Sequence, residues 1–124
     1  MAGSSSSSGT EFGPLEAEVM DLVWALAGPV SVGDIAARLN ERRSEPLAYT
    51  TVMTVMSRLA DKQVLERRRK GRGYLYEPSA ADAAGLAVKN VIRIYGDEAM
   101  AHFFEEARAD PKMLRRLQRL LGET

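Results

Sequence analysis

The sequence predicts a mostly α-helical fold with a small β-hairpin: three helices, the hairpin, then three more helices. Three observations predict it. Apolar residues recur at three- and four-residue spacings over 14–27, 31–39 and 49–62, as on one face of a helix. Between 64 and 78 that period gives way to two short runs separated by Gly71 and Gly73, the pattern of a hairpin. From Ser79 onward helical spacing returns, with more apolar surface than a short appendage could bury alone.

The first helix begins at Pro14, where a missing N–H costs nothing, and carries Leu15, Val19, Leu22, Val23 and Leu26 on one stripe. Gly28-Pro29 ends it. The second opens with Ser31-Val32-Gly33-Asp34, a capping-box pattern, and buries Val32, Ile35, Ala36 and Leu39. The third runs from Tyr49 to Lys62. Its buried face is Val52, Val55, Met56 and Leu59, while Thr50, Thr51, Met53, Thr54 and Arg58 populate the rest. Threonine costs helix propensity, so three within five residues is not what a solvated face requires. Short hydroxyl side chains permit close approach of another surface. The hairpin pairs Val64–Arg69 with Tyr74–Pro78 and carries Lys70 and Arg72 at its tip. Strand alternation means that Arg67, Arg68 and Arg69 cannot all face one partner.

A second capping pattern, Ser79-Ala80-Ala81-Asp82, opens a fourth helix to Tyr95, stopped by Gly96. The fifth spans 97–108 with Met100, Phe103 and Phe104. The sixth starts at Asp110-Pro111, with Met113, Leu114, Leu117, Leu120 and Leu121 on one side and Arg115, Arg116 and Arg119 on the other. The expected organisation is a disordered tail or cloning remnant over the serine-rich 1–12, a first domain over 13–79, and a helical region over 80–124.

Charge narrows the function. The 124 residues sum to zero, which by itself argues against a nucleic-acid binder. The distribution says more: 58–72 holds seven basic residues against two acids, and a local patch suffices because screening acts over roughly 10 Å. With no cysteine, disulfides and thiolate metal sites are excluded, and the lone His102 builds neither a triad nor a metal cluster. No nucleophile–base pair or phosphate loop is present, and Gly71-Arg72-Gly73 lacks the context of a dinucleotide site. The expectation is no enzyme, no metal and no cofactor. The longest apolar run, Leu22–Ala27, cannot span a bilayer, and the start lacks a secretory pattern, so a cytoplasmic chain is expected.

Three helices followed by a basic-tipped hairpin is the layout of a winged helix-turn-helix. Its third helix fits the major groove, and its hairpin tip reaches the neighbouring backbone. The bland alternative is a small α+β domain with a solvated basic loop.

Particular residues go further. Leu15-Glu16-Ala17-Glu18-Val19-Met20-Asp21-Leu22-Val23-Trp24 resembles the first helix of the penicillinase repressor family, typified by BlaI and MecI. Leu47 to Leu59 resembles its recognition helix closely, and Lys70-Gly71-Arg72-Gly73-Tyr74-Leu75-Tyr76 is similar to its wing. The resemblance covers about residues 14–122 and implies a homodimeric transcriptional repressor on a palindromic operator in double-stranded DNA. It implies that Thr50, Thr51 and Thr54 face base edges and that Arg58 and the wing residue Arg72 hold phosphates; the tip cation Lys70 joins them as a DNA-contact candidate. Tyr49 either touches the backbone or simply packs.

The apolar positions of the last three helices — Leu86, Val91, Ile94, Tyr95, Phe103, Phe104, Leu114, Leu117 and Leu121 — are then a dimerisation surface, the alternative being that this region folds back on its own winged helix. In relatives a protease relieves repression by cutting at an asparagine–phenylalanine site in the C-terminal part. The nearest sequence here, Ala101-His102-Phe103-Phe104, lacks the asparagine, so a protease partner is left open. The cysteine-rich motif of the copper-responsive branch is absent. The family's best-known output, β-lactam resistance, is not picked out by any residue here. The competing function is an interaction module that kept the winged-helix shape and lost DNA binding.

Overall fold

The computed structural model describes residues 11–122, so the expected tail over 1–12 lies almost wholly outside the described residues. The chain order is α1 (Pro14–Leu26), α2 (Val32–Asn40), α3 (Tyr49–Asp61), β1 (Leu65–Lys70), β2 (Gly73–Pro78), α4 (Ala83–Tyr95), α5 (Asp97–Ala109) and α6 (Pro111–Gly122). Two compact units divide this order, the first ending at Ala87 and the second starting at Val88.

In the first unit α1, α2 and α3 close around Val19, Met20, Val23, Ile35, Val52, Met56 and Leu59, all buried. Ser31 caps α2 as its pattern requires. Its Oγ accepts from the Asp34 N–H at 3.0 Å, and Asp34 Oδ2 accepts from the Ser31 N–H at 3.0 Å. A Schellman motif ends α3: the Val64 N–H donates to the Leu59 carbonyl and the Gln63 N–H to Ala60, with Gln63 left-handed at φ 67°. Glycine usually holds that position, so the sequence does not announce this stop.

The strands β1 and β2 pair antiparallel, with Arg69 opposite Tyr74 and Arg67 opposite Tyr76. Tyr76 is 1% exposed. Its N–H donates to the Val30 carbonyl at 2.8 Å and its carbonyl accepts from the Val30 N–H at 2.9 Å. This isolated bridge adds a minimal third strand and fixes the hairpin's root to the loop after α1.

A second tie positions α3. Asn40, the last residue of α2, donates from Nδ2 to the Leu47 carbonyl (3.2 Å) and accepts at Oδ1 from the Leu47 N–H (2.8 Å). One side chain thereby pairs with a backbone two residues before α3 begins. Asn40→Ala leaves both part-buried Leu47 groups without this partner. The expected cost is about 1–3 kcal/mol in urea denaturation, and a loss within a few tenths of zero would refute the role.

Two expectations need correction here. The helix after the hairpin starts at Ala83, not directly after a Ser79 cap. With that helix beginning four residues later, Ser79 is not at its N-terminus, and its hydroxyl lies 2.8 Å and 2.9 Å from the Gln63 and Val64 carbonyls and donates there. Asp82 takes the role, its Oδ1 accepting from the Gly85 N–H at 2.8 Å. Leu86, expected on the dimerisation surface, is 4% exposed and belongs to the first unit's core. Consistent with this, the first compact unit extends through Ala87, eight residues beyond the expected boundary at Ser79.

The second unit is short on interior. Among its described residues only Asn90 and Ala107 are buried. No side chain of α6 is buried, although its leucines share one face. Val88, Ile92, Ile94, Tyr95, Met100, Phe103, Phe104, Leu120 and Leu121 are exposed.

Candidate nucleic-acid interface

Helical geometry decides what α3 presents. Its buried stripe is Val52, Val55, Met56 and Leu59, and residues half a turn away must point outward. Thr50, Thr51, Thr54 and Arg58 are accordingly exposed. Together with Gly13, Pro14, Leu15 and Glu16 of the α1 start, and with Lys62, they line one open groove of about 700 Å³. Met53 is exposed and Met56 buried, as their places on the helix require.

The groove's charges are unequal partners. Lys62 Nζ lies 3.0 Å from Glu16 Oε1, and that same carboxylate oxygen accepts from the Gly13 N–H at 3.1 Å. Glu16 therefore caps α1 and holds Lys62 across to it. Sequence reading passed over this pair, since an acid in a first helical turn reads only as a cap. Arg58 has no such acid among the ion pairs of the described residues. Tyr49, the first residue of α3, is exposed but does not line the groove.

Beside α3 stands the hairpin. Lys70 and Arg72 are exposed at its turn, as expected. Gly71 has φ 61°, the left-handed backbone that glycine adopts without strain. The register sorts the remaining charges. Arg67, Arg69, Tyr74 and Tyr76 share one face; Glu66, Arg68, Lys70 and Glu77 share the other. Arg68 Nη1 sits 3.7 Å from Glu77 Oε1. On the first face Arg67 lies 5.0 Å and Arg69 5.7 Å from the centroid of the Tyr74 ring. Arg67 Nη1 also donates to Ser57 Oγ of α3 at 3.4 Å. The sequence signal for this cluster was the two-residue spacing of Arg67 and Arg69, which needs the strand register to become informative.

The residues expected to form a dimerisation surface differ in exposure. Ile94, Tyr95, Phe103, Phe104 and Leu121 are exposed, and Val91, Leu114 and Leu117 are half-buried. Among the described residues no helix is long and apolar enough to cross a membrane.

Three helices with the third facing outward, followed by an antiparallel hairpin, define a winged helix-turn-helix protein. The solution structure of the DNA binding domain of the repressor BlaI shares the fold, with a TM-score of 0.51 at 23% identity over 60% of this chain and 87% of that one. The complex structure of hsRosR-S1 is similar over 94% of this chain and 95% of that one, with a TM-score of 0.53 at 13% identity. The profile of the penicillinase repressor family matches residues 12–123. The chain is 37% identical over 108 residues to the transcriptional regulator BlaI of Mycobacterium tuberculosis, in each of two strains, covering 82% of this chain and 77% of the relative. The chain belongs to the penicillinase repressor family, whose members are transcriptional regulators rather than enzymes.

Proposed function

We propose that the protein is a homodimeric, cytoplasmic transcriptional repressor that binds a palindromic operator through α3 and the basic wing. One observation carries the reading: Thr50, Thr51, Thr54 and Arg58 line a single exposed groove on the outward side of α3. Threonine offers a hydroxyl to base acceptors and a methyl to the thymine methyl, so Thr50, Thr51 and Thr54 read sequence. Arg58, with Lys70 and Arg72 at the wing, holds phosphates, which position the protein without specifying bases. Tyr49 sits at the helix start, where N–H groups favour phosphate. The first compact unit, through Ala87, supplies the reader, and the helical residues from Val88 onward supply the contact between two copies.

The experiment is selection of bound fragments from genomic DNA, followed by titration of the recovered site. Thr51→Ala is expected to narrow the gap between specific and random duplex by about 1–3 kcal/mol. Arg58→Ala is expected to weaken both alike and to lower the salt slope by about one. Recovery of no enriched site, or Arg58→Ala acting on one sequence only, refutes the assignment.

A further inference from the structure

We propose that Arg67 and Arg69, both held over the Tyr74 ring, form a preset clamp for a phosphate of the DNA backbone at the side of the wing facing α3. The inference rests on the DNA-binding reading and adds to it residues other than the tip cations.

The register makes the case. The three consecutive arginines of β1 are split by the strand's alternation. Arg68 falls on the face that also holds Glu66 and Glu77, and it pairs with Glu77. Arg67 and Arg69 fall on the opposite face, where neither strand contributes an acid. That face is tied to α3 by the Arg67–Ser57 hydrogen bond.

A cation–π contact gives Tyr74 a part in this cluster. An arginine drawn to an aromatic ring uses no N–H hydrogen bond for that contact and keeps donors for an anion. Both arginines approach the same ring. Tyr74 is itself held edge-on to Tyr76, with ring centroids 6.5 Å apart and planes at 61°. Tyr76 is buried and bonded to Val30. A continuous chain of contacts therefore runs from the core to two long cationic side chains. Their rotamer freedom is reduced before any ligand arrives, which favours binding.

The test uses the full chain and a labelled random-sequence duplex, with affinity measured by anisotropy across a salt series. Arg67→Ala and Arg69→Ala should each reduce the slope of log affinity against log salt by about 0.9. Arg68→Ala should leave it unchanged. Tyr74→Phe should behave as wild type, while Tyr74→Leu should weaken binding several-fold with its thermal melting retained. Equal slope losses for all three arginine variants would mean that charge alone matters and overturn the clamp. So would wild-type slopes for Arg67→Ala and Arg69→Ala, or a Tyr74→Leu variant that binds normally. Failure of the wild type to bind any duplex would instead bring down the DNA-binding reading, and the clamp with it.

Discussion

Tyr76→Ala is expected to destabilise the protein by about 3–5 kcal/mol, the range for removing a large aromatic from a core. Tyr76 is among the largest fully buried side chains in the chain. It packs in the cluster built by α1, α2, α3 and the hairpin root, and its backbone forms the bridge to Val30. Removing the ring opens a cavity where the wing joins the helices, and small domains hold only about 5–15 kcal/mol in all. Tyr74→Ala is the control. Tyr74 lies two residues away on the same strand face but is 40% exposed, so its loss should cost under about 1.5 kcal/mol. Urea midpoints compare the two. Equal shifts would mean that the core does not extend into the hairpin.

Paired substitutions Phe103→Glu and Phe104→Glu are expected to convert a dimer into a monomer. The second unit exposes two phenylalanines, Met100, Tyr95 and two leucines of α6, and has almost no interior of its own. Exposed apolar surface on this scale marks an interaction site. A two-fold copy of the same chain is its simplest self-complementary partner and matches a palindromic site. Two carboxylates placed on that face would have to be buried without partners. Sedimentation should report half the wild-type mass. Affinity for a duplex carrying two half-sites should fall by about 10²–10⁴, because the second half-site is no longer held at high effective concentration. A wild type that sediments as a monomer, or a variant that stays dimeric, would rule out this surface.

Two identical patterns show how far local reading carries. Ser31 and Asp34 close a capping box, as their spacing predicts. Ser79 and Asp82 have the same spacing, yet the Ser79 hydroxyl serves the Gln63 and Val64 carbonyls. Nothing local distinguishes the two serines; the difference lies in carbonyls at the end of α3 and the start of the hairpin that the fold brings to the second one. The threonine face of α3 was legible because a helix places residues by arithmetic from its buried stripe. The Arg67–Tyr74–Arg69 cluster was not, because it depends on a register between strands. Leu86 was misplaced for a related reason. Its apolar spacing suits either a dimer surface or the core, and only tertiary packing assigns it to the first unit.

The Asn40–Leu47 pairing also bears on how much change the loop before α3 can take. Its two hydrogen bonds close residues 41–46 into a loop whose ends are fixed by one side chain. Loop-closure entropy grows only logarithmically, so doubling that loop would cost about 0.6 kcal/mol. An insertion there is expected to give up the Arg43–Glu18 ion pair at little cost while the start of α3 stays anchored by the same two Asn40 atoms.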